Sequence, residues 1–428
     1  MRSSRIPGFT ATAVRLERMR RRGSALAMAV LGVATMLMLI AASTLDLTQS
    51  RLIAEDLLSD AAQARLGAIS AIESAIQYCN STPSWRTAMT HGSPADRMLA
   101  NNKITFTLYD DSDSNLANRD TDPVRIAATA ECGVAKQAMT ATARALPLTC
   151  LNAAVHANNN MTVLAGGVIT NNRPLSGGSN ATVNGTVNGD VECVNTVSGS
   201  GSITGTIKNN VTPKEMPIVG TIAYYESLGS PLDYASLSNA GGSGKSMKEL
   251  LVSPTRNPAG TANALGIYVI NCGGGDLTID SSRIVGTLII KNPGSGSKVT
   301  NTVNWAPAVA NYPTLIVEGS ITIELTGAPL NEATAALPNY NPPDTPYQGA
   351  SNTTSTDTYP CVIQGLIYQS GSLTLQGTTE IRGIVVCWGD VTVNGIVNVV
   401  YDSSYINNPP PRFVSHRLAV NPGSWRPD

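Results

Sequence analysis

Gly365-Leu-Ile-Tyr-Gln-Ser-Gly371-Ser-Leu-Thr-Leu-Gln-Gly377-Thr-Thr-Glu-Ile-Arg-Gly383-Ile-Val-Val-Cys-Trp-Gly389-Asp-Val-Thr-Val-Asn-Gly395 carries a glycine at every sixth position without a miss. Six residues suit one short strand and a corner, and three such faces make an eighteen-residue coil of a β-helix, in which each coil buries its inner face by stacking on the next. Residues eighteen apart must then share an inward or outward role. Ile363 with Ile381, Leu366 with Ile384, Tyr368 with Val386, Leu373 with Val391 and Leu375 with Val393 are apolar at both positions. Period and pairing together predict a single-stranded β-helix.

Weaker copies extend the pattern upstream, in Ala181-Thr-Val-Asn-Gly-Thr-Val-Asn-Gly-Asp-Val, Gly201-Ser-Ile-Thr-Gly-Thr-Ile, Asp276-Leu-Thr-Ile and Gly319-Ser-Ile-Thr-Ile. The β-helix is therefore placed over residues 161–401, with two interruptions. Residues 213–253 read as a lateral insertion with a short helix at Lys245 to Leu251. Residues 328–360, rich in Pro, Ser, Thr and Asn, read as a long surface loop or a disordered excursion. The tail, residues 402–428, either caps the β-helix with Phe413 and Trp425 as anchors or hangs loose.

Ahead of the β-helix, residues 80–150 read as a small β-rich head. Lys103-Ile-Thr-Phe-Thr-Leu-Tyr109 alternates apolar and polar residues, and a second strand covers Val124 to Ala130. Residues 135–144 suit either a third strand or a short helix. Between the first two strands lies Asp110-Asp-Ser-Asp-Ser-Asn-Leu-Ala-Asn-Arg-Asp-Thr-Asp122. Asp111, Asp113 and Asn115 match the first three ligand positions of a calcium loop and Asp122 follows eleven residues after Asp111, but Leu116 stands where such loops need glycine. The stretch is either a calcium loop or a solvated acidic turn. No other cofactor is expected.

At the front, residues 23–45 contain no Asp, Glu, Lys, Arg or His. Residues 24–42 as a helix span roughly 28 Å, about the thickness of a bilayer core. Beyond Asp46, Leu52, Ile53, Leu57, Leu58, Ala61, Ala62, Leu66, Ile69, Ile72 and Ile76 recur at three- and four-residue steps. One helix is predicted to run from the membrane out to about Tyr78 and to pack its far half on the head. Pro83 supplies the stop.

Arg20-Arg-Arg-Gly-Ser-Ala-Leu-Ala-Met-Ala-Val-Leu resembles the start of a type IV prepilin, and more narrowly of the PilX-type minor pilins and pseudopilins. The resemblance implies cleavage after Gly23 by a membrane peptidase, leaving Ser24 as the mature N-terminus, a helix over residues 24–79 and a basic leader over residues 1–23. It also implies other pilin-like subunits as partners. Major pilins place a glutamate at mature position five, where it pairs with a neighbour's N-terminal amine; counted from Ser24 that position is Met28, which implies a minor or tip component. Plain readings of the same stretch are an uncleaved signal anchor or a secretory signal ending near Ala42. The style of Gly389-Asp-Val-Thr-Val-Asn-Gly395 resembles the bactofilins and other polymer-forming β-helix proteins, which implies architecture rather than activity.

Residues 1–22 hold seven Arg against the single acid Glu17, net +6, so the remainder of this chain of net charge −1 carries −7. A basic flank before an apolar run predicts an N-in, single-pass protein of the inner membrane with its C-terminal region exported to the periplasm or cell surface. The exported part has no basic patch that would call for nucleic acid. Only 14% of residues are charged, while 38 Gly and 34 Asn favour tight turns between strands. Seven Cys form no CxxC pair, which excludes a zinc ribbon or a thioredoxin-type motif; in an exported chain some could pair, and Cys79, Cys132 and Cys150 fall within or beside the head.

Catalytic chemistry finds little footing. Asn239-Ala-Gly-Gly-Ser-Gly-Lys-Ser246 imitates the end of a phosphate-binding loop, but Asn239 replaces its first glycine and no buried strand precedes it. His91, His156 and His416 are isolated and read as surface or capping residues, and neither HExxH nor GxSxG occurs. A glycan hydrolase or lyase needs carboxylates converging on one face, and in the periodic block Glu380, Arg382 and Asp390 do not stand eighteen apart. The chain thus reads as a non-catalytic envelope protein, either a minor pilin-like filament component or a signal-anchored surface protein whose β-helix holds envelope or extracellular polysaccharide.

Overall fold

The computed structural model describes residues 10–99, 102–240, 244–334 and 337–428, so the first nine residues of the leader lie outside the described residues. The chain is mainly β: one long N-terminal helix, a small antiparallel α+β head and a large β-solenoid. The helix α1 (Thr10–Ser81) is unbroken, as a proline-free run rich in Ala, Leu, Met and Ile allows. A short turn of helix, α2 (Trp85–Ala88), follows Pro83.

Four strands then form a meander, β1 (Pro94–Leu99), β2 (Asn102–Tyr109), β3 (Val124–Cys132) and β4 (Ala135–Pro147), each antiparallel to the next. Residues 135–144, open between strand and helix in the sequence, are strand. The period-2 alternation puts Ile104, Phe106 and Leu108 of β2 and Val124, Ile126 and Ala128 of β3 on one face. They pack on Ala68, Ala71, Ile72, Ala75 and Cys79 of α1. Alanine at these helix positions lets the backbone lie close to the sheet.

The tail belongs to this sheet. Val414–Val420 pairs antiparallel with β4 and Arg426–Pro427 adds a further short pairing to it. The tail neither caps the solenoid nor hangs loose: Phe413 is buried on the solenoid's side wall, edge-on to Tyr368 with ring centroids 5.4 Å apart, and Trp425 is half-exposed. The solenoid is therefore inserted between two neighbouring strands of the head.

Solenoid strands begin at Val155–Ala157, ahead of the expected start at residue 161. The five eighteen-residue pairs read from the sequence are all present in register. Ile363, Ile381, Leu373, Val391, Leu375 and Val393 line the interior, whereas Leu366, Ile384, Tyr368 and Val386 point out and are buried beneath a second layer. That layer contains a crossover helix, α3 (Thr221–Leu228), whose Tyr225 hydroxyl donates to the Pro411 carbonyl at 2.9 Å.

The winding order differs from a simple β-helix such as the bactofilin resemblance implies. Residues 155–208 wind outward from the middle, the chain crosses back along the wall through α3, and residues 230–400 wind from the opposite end. The last strand, Val391–Val400, then pairs in parallel with Met161–Val163 and Val168–Asn171. Residues 213–253 are thus not a lateral insertion. They hold the crossover and strands of the far end, and residues 245–251, expected as a helix, form the strand Lys245–Lys248 and the start of Leu251–Val252, with Lys245–Lys248 parallel to Leu277–Val285. Pairing along a sheet edge overrode a composition that suits a helix equally well.

Residues 328–360 are a packed flap rather than a disordered excursion. Leu330–Asn331 pairs with Thr358–Tyr359, and Leu330, Leu337, Tyr340 and Tyr359 bury themselves with Leu251. All seven cysteines are free thiols, and Cys79 and Cys150 are buried.

Candidate functional site

Helix α1 divides into two halves of opposite character. From Ser24 to about Leu58 the side chains are exposed, with Leu26, Met28, Leu31 and Met38 all 68–73% accessible. From Ala64 to Cys79 one face is sealed on the sheet. Residues 24–45, uncharged and covered by no other described part of the chain, on a helix long enough to cross a membrane, fit a membrane anchor or signal. Gly23 and Ser24, where the sequence resemblance implies processing, lie within this helix.

The root of the helix is locked. Asn80 Oδ1 accepts from the Leu418 amide at 2.7 Å while its Nδ2 donates back to the Leu418 carbonyl, and the Trp85 indole donates to the His416 carbonyl at 2.8 Å. The tail strand thus clamps the helix to the head.

The acidic loop between β2 and β3 gathers a different set of carboxylates from those read in the sequence. Asp110, Asp113 and Asp122 each bring an oxygen within 4.8 Å of the others. Asp111 is turned away to Arg125, at 2.8 and 3.0 Å, which holds its carboxyl below the usual carboxylate range. Asn115 Oδ1 caps the Ala117 amide, and Leu116 is buried in the head core. Asp110 Oδ1 accepts from the Ser112 amide at 2.8 Å, whereas Oδ2 of Asp110 and Oδ2 of Asp122 are buried without a hydrogen-bond partner. Burial, and then the nearby Asp110 charge, push the Asp122 carboxyl up.

Arg86 of α2 fastens the loop by its backbone. Its guanidinium donates to the carbonyls of Leu116, Arg119, Asp120 and Asp122 at 2.9–3.1 Å. Sequence reading missed Arg86, which is remote in the chain and belongs to no motif. It also missed Asp110, although a signal was present: Asp110 continues the inward parity of Ile104, Phe106 and Leu108.

On the solenoid one face carries a ladder of polar side chains, all Thr or Ser except Lys298, which pairs with Glu324 at 3.4 Å. Thr278, Lys298, Thr322, Thr374, Thr392, Thr162, Thr182 and Ser198 stand in register on successive coils, at the strand spacing of about 4.8 Å. Two positions along, Glu324, Gln376 and Asn394 form a second polar row. Because Thr162 and Thr182 precede Thr278 in the chain but continue the ladder beyond Thr392, only the folded winding order makes the row continuous.

The remaining sequence candidates are placed elsewhere. Lys245 of the phosphate-loop look-alike donates to the carbonyls of Ala235 and Leu237 from a strand, and residues 241–243 lie outside the described residues. His91 Nδ1 accepts from the Asp110 amide, and His416 lies 3.3 Å from the Asn80 carbonyl. His156 is not a surface residue: it is buried with both ring nitrogens unpartnered, and burial followed by the Lys214 charge lowers its pKa to about 4.

No family model matches the chain, and no curated protein matches it. Among solved structures, the competence-associated pilin ComZ from Thermus thermophilus is similar over 86% of this chain and 98% of its own, at 9% identity and a TM-score of 0.30. The ice-binding protein of the Antarctic ascomycete Antarctomyces psychrotrophicus is similar over 59% of this chain and 95% of its own, at 11% identity and a TM-score of 0.21. The DUF3494 domain of a Shewanella frigidimarina ice-binding protein is similar over 59% of this chain and 96% of its own, at 10% identity and a TM-score of 0.22. Likenesses this loose carry no argument, so the function has to be read from the chain's own geometry.

Proposed function

We propose that the chain is a non-catalytic, pilin-like minor subunit of a type IV pilus or a secretion pseudopilus, anchored once in the inner membrane before assembly. The observation that carries this is the division of α1, one unbroken helix that is bare over residues 24–58 and welded to a sheet over residues 64–79. Exposed apolar side chains on all sides of a helix need either lipid or neighbouring helices as cover. A helix rooted in a folded head serves both states, lipid first and filament core later. Met28, where an assembling major subunit would carry its carboxylate, supports the reading as a minor subunit, since a lone carboxylate in lipid is costly and is kept only for pairing.

Mass spectrometry of the mature N-terminus tests the proposal. A terminus at Ser24 is expected; an intact Met1, or a terminus near Ser43, overturns it. A second reading is favoured by the polar ladder: a signal-anchored surface protein whose flat solenoid face lies along an envelope or extracellular polysaccharide, with hydroxyls and amides at a regular pitch to meet sugar hydroxyls. The same spectrum separates the two, because that protein keeps its N-terminus unprocessed.

A further inference from the structure

A carboxylate buried without a partner is a costly arrangement, since an ionised oxygen removed from water needs a cation or a donor to offset its lost hydration. Asp110 is fully buried, and its Oδ2 has no hydrogen-bond donor. Asp122 repeats the situation with its own Oδ2. Two such oxygens in one acidic loop, with Asp113 alongside, repel one another. The charges of Arg86 and Arg119 offset part of this repulsion, but the Arg86 guanidinium gives its four hydrogen bonds to backbone carbonyls of the loop, so both orphaned oxygens stay without a donor. The three carboxylates thus meet in a loop whose Leu116 is buried in the head core.

We infer that Asp110, Asp113 and Asp122 bind a calcium ion. Hard oxygen donors exclude soft metals, and a divalent charge offsets both orphaned oxygens at once. Calcium suits the site better than magnesium: the donors come from an irregular loop rather than an octahedral cage, and calcium accepts flexible geometry with water completing its shell. This is not an EF-hand loop. Its ligands fall at the end of β2, three residues on and at the entry to β3, and Asp111, the residue that such a loop would begin with, is committed to Arg125.

Bound calcium would fix more than the loop. Asp120, held in the same turn by Arg86, accepts from the Arg412 amide at 3.1–3.2 Å, and Arg412 lies just ahead of the tail strand that returns from the solenoid. The loop is therefore a strut between head and solenoid, and the ion stiffens that joint. The inference stands whether or not the chain enters a filament.

The test uses the full-length protein in detergent micelles, stripped with a chelator and titrated with CaCl2 by calorimetry and by thermal unfolding. Expected is one saturable site in the micromolar to millimolar range and a rise in Tm of several degrees. Asp122→Asn is expected to weaken binding about tenfold or more, and Asp110→Asn to do the same. Asp111→Asn should bind as the parent does. No binding and no Tm shift in the parent up to about 10 mM calcium, roughly tenfold beyond the weak end of extracellular sites, overturns the inference. So does an equal response to MgCl2, or loss of binding in Asp111→Asn with retention in Asp122→Asn. Should Asp110→Asn fail to fold, the parent and Asp122→Asn decide the question alone.

Discussion

At the residue scale the glycine period has a steric cause that burial averages hide. A Cβ on Gly383 would sit 1.8 Å from the Gly365 carbonyl oxygen of the coil below, and one on Gly365, at φ +116°, would sit 2.0 Å from Thr314 Oγ1. Neighbouring coils come too close at these positions for any side chain, so the period was legible because nothing larger than hydrogen fits. His156 is the opposite case, a polar residue whose environment no local pattern announces. Above about pH 6.5 it is neutral in both folded and unfolded chains and contributes no pH dependence. As pH falls below that value the unfolded chain takes up the proton while the folded one, with its pKa lowered to about 4, does not, so stability falls. The loss should approach 1.4 kcal/mol per pH unit and level off once the folded imidazole also protonates, at roughly pH 4. His156→Leu should flatten this part of a Tm-against-pH curve while leaving the carboxylate titrations below it unchanged.

At the element scale the flap over residues 328–360 shows how a composition typical of disorder can still be ordered. Two buried charges hold it. Arg283 donates to the carbonyls of Tyr340, Thr345 and Pro346 beneath the rings of Tyr347 and Tyr359, and Glu332 accepts from the Tyr359 hydroxyl and the Asp357 amide. Arg283→Ala should cost about 3 kcal/mol by leaving those carbonyls unpaired and should open the flap to limited proteolysis within residues 328–360, with the coils intact. The flap was illegible because its order depends on an arginine some fifty residues upstream. Helix α1 was legible through its period and charge gap, and β2 and β3 through alternation. Lys245–Lys248 was not, since Lys, Met and Ser serve a strand or a helix equally and only the partner strand decides. The acidic loop was half legible: its charge marked the place, while counting from Asp111 selected the wrong oxygens.

At the scale of the whole molecule, what escaped the sequence was connectivity. The eighteen-residue rule identifies neighbours within an uninterrupted run and is silent about which coil meets which after a crossover. Hence the polar ladder, the return of the tail to β4 and the junction of the first coils with the last were all invisible. The junction is strong: Asn160 bonds to Asp390 across 230 residues, and Val155–Ala157 lies beside residues 385–387. A chain ending before residue 391 should keep the partner of residues 155–157 but lose that of residues 161–171, and with it the fifth strand of the head. Hydrogen exchange on such a truncation is expected to show residues 161–208 and the uncovered edge of β4 unprotected, with α1 losing its root; protection of residues 161–208 comparable to that in the full chain would contradict this.

That long-range junction also dictates a timetable. The coils made first, residues 155–208, have one side free until residues 391–400 arrive, and β4 lacks its last neighbour until residues 414–420 follow. A protein delivered N-terminus first must therefore keep its earliest strands waiting, edges open, through most of its own synthesis. Pairings of such sequence separation form slowly and leave strands prone to aggregation in the interval. The insertion of the solenoid into the head thus makes completion of the C-terminus the signal that lets the molecule close.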